Sequence, residues 1–254
     1  MTKLVLAALW FFTVQVFGQV DVHFPEGSVH GFLLLRAEDG SQIAEGNLDQ
    51  VSRGGRLTNH LQFRFKDGST HDETAVYTQR KLFRLQNYHL LQKGPSFKEP
   101  EELTIDVPKG LVTVRYEHDG KPEVKDEHMK LPPDLANVMM SILTKNVGKD
   151  PGEVKLSMVV ATPKPRLVKL AITSAGEEAF RVGGREHKSV DYRVKIELGG
   201  LAGVVAPIVG KEPPDIHVWI SKGEVPAFLK STGPLFVDGP IWTIELASPQ
   251  WKPE

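Results

Sequence analysis

The chain has 254 residues, 40% of them hydrophobic and 25% charged, with a formal net charge of -1 at pH 7 and no cysteine. Balanced charge gives no electrostatic reason to expect a nucleic-acid partner. The missing thiols exclude disulfides, thiol catalysis, cysteine metal sites and the anchoring cysteine of a lipoprotein, so stability must come from an ordinary core.

At the start, Lys3 precedes an apolar run from Leu4 to Phe17, with Val16 and Gly18 at the positions a signal peptidase reads. Residues 1–18 are expected to be a secretory signal, with the mature chain beginning at Gln19 and residues 19–254 forming one β-rich domain. The rival reading, a membrane anchor, is disfavoured because a spanning helix needs roughly 20 apolar residues. The expected location is periplasmic or secreted, with no transmembrane span in the rest of the chain.

From Ser28 onward the chain is punctuated by turn pairs: Asp39-Gly40, Gly54-Gly55, Asp67-Gly68, Asp119-Gly120 and Gly183-Gly184. Such pairs accept the positive φ of tight hairpins. Between them the residues alternate. Leu61, Phe63 and Phe65 oppose His60, Gln62 and Arg64; Leu103, Ile105 and Val107 oppose Thr104 and Asp106; Val112, Val114 and Tyr116 oppose Thr113, Arg115 and Glu117. Strands with one dry and one wet face make antiparallel sheet.

Residues 133–146 break this pattern. Leu135, Val138, Met139, Ile142 and Leu143 recur three and four apart, so the spacing predicts an amphipathic helix with Asp134 in its first turn, Lys145 at its negative end and Asn137 on its exposed face. Met139 and Met140 add adaptable thioether surface. Strand grammar then resumes at Val154 to Val160, Val168 to Ile172 and Val190 to Leu198, where Asp191, Arg193, Lys195 and Glu197 are expected to face water. The last strands are read at Ile216 to Ile220 and Ile241 to Leu246. Gly199 to Gly210 is small and apolar without a period, either a buried crossing or a mobile lid over a cavity.

The expected fold is mainly β: a curved antiparallel sheet, a half-barrel or open barrel, packed on one amphipathic helix. Its concave face is either a plain core or a site for an apolar ligand beside the helix. On that reading the candidate ligand-binding residues are Met139, Leu143, Leu201, Val205 and Trp219. Trp219 shares a face with His217 and is the better candidate for a partly exposed contact, whereas Trp242 belongs with Ile244 and Leu246 in the core.

Catalytic signatures are weak. Nine histidines show no His-Glu-x-x-His pair, and there is no Gly-x-Ser-x-Gly elbow or phosphate-cradling glycine loop. His118 with Glu123, Asp126, Glu127 and His128 reads as a solvated hairpin more readily than as a metal site. In the second cluster, His71, Asp72 and Glu73, adjacent strand residues point to opposite faces, so the two carboxylates cannot converge. A hairpin turning at 67 and 68 would place His60 near Ala75 and Val76, away from His71. No catalytic residue, metal or cofactor is therefore assigned. The expected function is a non-enzymatic binding or carrier protein for a hydrophobic small molecule or acyl chain, with a structural envelope protein and an unrecognised hydrolase as alternatives.

Gly94-Pro95-Ser96-Phe97, the run from Gly199 to Ile220 containing Lys211-Glu212-Pro213-Pro214-Asp215, the segment from Gly223 to Phe228, and Gly239-Pro240-Ile241-Trp242-Thr243-Ile244-Glu245-Leu246 are similar to a family of uncharacterised secreted bacterial proteins, notably from acidobacteria. That resemblance spans the mature chain and implies no activity. More distantly, the order of strands, helix and strands resembles periplasmic lipoprotein carriers, which implies a curved sheet holding acyl chains around helices.

Overall fold

A computed structural model of the chain describes residues 18–97, 101–118, 121–148, 151–161, 164–182, 185–197 and 213–247. The expected leader, the Gly199 to Gly210 segment with Leu201 and Val205, and the Asp119-Gly120 and Gly183-Gly184 pairs lie wholly or mostly outside these residues.

Alternation and turn chemistry produce a run of hairpins, with the expected turns at 39–40, 54–55 and 67–68: β1 (Val29–Arg36), β2 (Gln42–Arg53), β3 (Arg56–Phe65), β4 (Thr70–Gln79), β5 (Phe83–Lys93), β6 (Glu101–Asp106), β7 (Leu111–His118) and β8 (Lys121–His128). After α1 (Met140–Asn146), the one α-helix among the described residues, come β9 (Val154–Val160), β10 (Arg166–Val182), β11 (Arg185–Glu197), β12 (Ile216–Ser221), β13 (Phe228–Gly233) and β14 (Trp242–Leu246). At the β2–β3 corner Gly54 and Gly55 both take positive φ, 59° and 75°, which matches the right-handed twist of the flanking strands.

All the strands join one antiparallel sheet in the order β8-β7-β6-β5-β4-β3-β2-β1-β14-β13-β12-β11-β10-β9. Pairing of β1 with β14 joins the two halves of the chain, with Leu33 opposite Leu246 and Leu35 opposite Ile244. Register shifts at Leu35/Arg36, Val76/Tyr77, Ser174/Gly176 and Trp219/Ile220 bend the strands, as one extra residue on one side of a ladder does. The result is an open, curved sheet whose end strands, β8 and β9, are not paired with each other among the described residues. Its free edge β8 is exposed and rich in charge, a composition that discourages pairing with another sheet.

The concave face holds two apolar clusters. One gathers Tyr77, Leu85, Ile105, Val112, Leu170, Ile172 and Val194 around Met139, which precedes α1, and the helix residues Ile142 and Leu143. The other is largely aromatic, with Trp242 within 5.3 Å of Phe65 and 6.0 Å of Phe236, ring centre to ring centre, and Phe97 beside them. Gly46 is required here, because a Cβ on it would lie 2.4 Å from Cε1 of the buried Phe63.

The helix differs from its expected span and covers only the second half of 133–146. Residues 134–137 instead run beside the edge of β9: Ala136 N donates to Ser157 O (2.8 Å), Ser157 N donates to Asp134 O (3.1 Å), and Leu135 forms a parallel bridge with Ser157. Asn137 continues the pairing with its side chain, donating from Nδ2 to Val159 O (2.8 Å) and accepting from Val159 N at Oδ1 (3.0 Å). The unpaired strand edge supplies hydrogen-bond partners that compete with helix formation. Val138, at φ 63°, then turns the chain into α1. Asn137 is consequently buried, not on an exposed face. The apolar stripe is core as expected, with Leu135 and Met139 ahead of the helix and Ile142 and Leu143 on it all buried.

One further expectation is corrected. Asp191 does not face water: it is buried on the convex side, where His217 Nδ1 lies 2.9 Å from its Oδ2. His60 stands opposite Thr74, next to Ala75 and away from His71, as expected.

Candidate functional site

Between the two apolar clusters lies a cavity of about 590 Å³, bounded by the concave face, α1 and the segment from Glu26 to Ser28. Leu48, Leu61, Leu170, Val194, Val218 and Leu246 supply apolar wall. From the helix, Met140, Ser141, Ile142 and Lys145 face it. Strand alternation explains the sheet's part of this wall: every second residue of β12 and β14, Val218 or Leu246, points inward.

The segment before β1 closes one side. Val22 N donates to Lys81 O (2.9 Å), while Glu26 and Gln79 exchange two hydrogen bonds, each 2.7 Å, through backbone and side-chain amide. His23 N and Phe24 N both donate to Asn146 Oδ1 at the helix end, at 2.9 and 2.7 Å. Lys145, in the last turn of α1, forms an ion pair with Glu26. The position of Lys145 near the negative helix end is favourable in itself, and this ion pair ties the helix to the segment.

Three neighbouring strands build a polar patch in this otherwise apolar wall. His71, Glu73 and Ala75 of β4 all point inward, being two apart. The register sets Phe63, Leu61 and Asn59 of β3 beside them on one flank, and Gln92, Leu90 and Tyr88 of β5 on the other. Tyr88 OH donates to Glu73 Oε1 at 2.5 Å. Burial, reinforced by the Glu73 carboxylate, holds the Tyr88 phenol well above its ordinary pKa, so it stays a donor. Gln92 Nε2 donates to Leu235 O (2.9 Å) and faces His71 Nδ1 at 2.9 Å. A carbonyl can only accept, which orients the amide; its second hydrogen therefore meets Nδ1, and the His71 ring proton sits on Nε2.

That Nε2 is buried and has no hydrogen-bond partner. Glu73 Oε2 is 3.7 Å away, beyond hydrogen-bond reach. Asn59 Oδ1, on the same wall, is likewise without a partner. The donor and the acceptor belong to residues that line one cavity, and both lie on interior strands of the sheet. Among the described residues, no group of three His, Asp or Glu side chains is arranged to hold a metal ion.

The sequence-predicted residues are placed differently. Met139 and Leu143 are buried on the other side of α1, lining a crevice of about 10 Å³ with Val20, Phe83 and Leu156. Trp219 sits on the convex face, where the ring of His217 stacks on it at 5.6 Å, Lys230 Nζ lies 4.1 Å above it and its Nε1 donates to Glu178 Oε2 (2.9 Å). Its neighbour Val218 is the one that reaches the cavity. Trp242 is core, as read.

Asp72 and Glu73 do point apart: Asp72 takes a hydrogen bond from Gln62 and lies 3.0 Å from His60 Nε2, while Glu73 turns inward. The pair missed in the sequence is His71 with Glu73. Their spacing of two was the available signal. In the other acidic hairpin, Thr113 Oγ1 donates to Asp126 and Tyr116 OH donates to Glu123, which fits a solvated surface.

No known protein family and no curated protein matches the sequence. Among solved structures, the chain is similar to a beta-barrel-like protein with a domain of unknown function (DUF1849) from Brucella abortus, at 9% identity and a TM-score of 0.45, covering 91% of this chain and 97% of that one. That protein is itself described as of unknown function, so the similarity brings no activity to this chain.

Proposed function

We propose that this is an exported, non-enzymatic binding or carrier protein whose cavity takes a hydrophobic, lipid-like small molecule. The observation that carries this reading is the 590 Å³ apolar space between sheet and helix, within the roughly 300–1,000 Å³ typical of small-molecule sites. Apolar wall supplies affinity through burial, and the few polar groups supply orientation. Export is supported by the charged start and apolar run of residues 1–18, and it would put the protein in the compartment where envelope lipids are handled.

Native mass spectrometry of the protein purified from its own envelope tests the binding claim. A bound hydrophobic molecule, released on denaturation, is the expected result. Bare protein that also fails to take up a fluorescent long-chain probe would leave the cavity without a ligand and replace this reading by a structural one. N-terminal sequencing of the exported protein should begin near Gln19, and an intact Met1 would overturn export with cleavage.

A further inference from the structure

We infer that the cavity selects its ligand by head group, seating an uncharged hydroxyl between His71 Nε2 and Glu73 Oε2 and rejecting the corresponding carboxylate. This rests on the binding reading above and names the chemistry of the same site.

Both groups are more than nine-tenths buried, and their gap of 3.7 Å is too wide to close by itself. A hydroxyl oxygen accepts from His71 Nε2–H and donates its own hydrogen to Glu73 Oε2, so one atom satisfies both groups. Leaving buried polar groups unpaired is costly, which is why such sites discriminate strongly by hydrogen-bonding pattern. A carboxylate head accepts from His71 but has no hydrogen for Glu73, setting acceptor against acceptor, and Asn59 Oδ1 is another acceptor on the same wall. An ammonium head satisfies Glu73 but has no lone pair for Nε2–H. Among the described lining residues Lys145 is the only lysine or arginine, and its ammonium already pairs with Glu26, so it is not free to receive an anion.

Calorimetric titration of the full chain with dodecanol, sodium dodecanoate and dodecylamine, at one mildly alkaline pH, tests this. Dodecanol should bind at least about tenfold tighter than either ionic analogue, a difference of about 1.4 kcal/mol. In Glu73→Gln the side chain keeps an acceptor for Tyr88 and turns amide hydrogens toward the cavity. The preference for dodecanol over dodecanoate should then fall below about threefold or invert. The comparison on the natural chain decides alone if the variant does not fold. Binding of all three within about threefold, or tightest binding of the acid or the amine, overturns the hydroxyl assignment and leaves the carrier reading standing. If none of the three binds, the carrier reading falls and this inference falls with it.

Discussion

Replacing Asn137 by alanine tests the feature that most changed the expected architecture, the side chain that substitutes for a strand at the edge of β9. Asn137 is 4% exposed and exchanges two hydrogen bonds with the backbone of Val159, itself 2% exposed. Alanine removes both partners at once and leaves a buried N–H and a buried C=O unpaired, at about 1–3 kcal/mol for each group. Because β9 is an edge strand, water reaches part of the gap, so the loss should sit in the lower half of the summed range of about 2–6 kcal/mol, at ~3 kcal/mol. For a chain of this size that corresponds to roughly 6–12 °C in melting temperature. Urea denaturation should show a lower midpoint with unchanged m. Asn137→Asp keeps the acceptor for Val159 N but aims a second oxygen at Val159 O, so it should be no milder. Val124→Thr on the exposed edge β8 is the control and should stay within ~0.5 kcal/mol. A loss below ~0.5 kcal/mol for Asn137→Ala would refute the argument, since residues 134–137 would then not be bound to β9 as described.

Ile142→Asp places an unpaired carboxylate in the helix-centred core, where Ile142 is buried, and should cost ~3 kcal/mol or more; an unchanged thermal midpoint would mean the helix is not packed on the sheet. Gly46→Ala drives a methyl into the ring of Phe63 and should cost ~1–3 kcal/mol by overpacking, read from the same urea titration. Burial first, and the Glu73 charge second, raise the phenol of Tyr77 well above 10.0, and Tyr88 shifts the same way. A folded-state pKa above the unfolded one means the unfolded chain loses its phenolic protons first. The associated stability is therefore intact below about pH 10 and is lost as pH rises beyond it. Ultraviolet titration should show these two phenolates appearing only with unfolding, and their reversible ionisation in the folded protein near pH 10 would contradict the burial.

The sheet was readable because its information is local. Leu61, Phe63 and Phe65 alternate with His60, Gln62 and Arg64, and each turn pair marks where a strand ends, so period and punctuation agree. Residues 134–138 were not readable in the same way. Their apolar spacing is helical, yet Asp134, Ala136 and Asn137 find better partners on the edge of β9, more than twenty residues later in the chain. Local propensity is a weak preference, and a buried strand edge with unpaired amides outweighs it.

The site failed to show in the sequence for a related reason. Asp72 and Glu73 diverge, as neighbours on a strand do, but the same alternation brings His71 and Glu73 together, and that pair matters only when the flanking strands are known. Phe63 and Leu61 on β3, and Gln92 and Tyr88 on β5, decide whether a histidine and a glutamate on β4 meet water or a dry cavity. Gln92 fixes the His71 tautomer through Leu235 O, a carbonyl 143 residues further along the chain. Tyr88 occupies one oxygen of Glu73, a residue that lines the cavity. A polar pair on one strand is common; what makes this one a candidate recognition site is that the flanking strands occupy Nδ1 and Oε1 while, among the described residues, Nε2 and Oε2 have no hydrogen bond, on two residues that line the same apolar space.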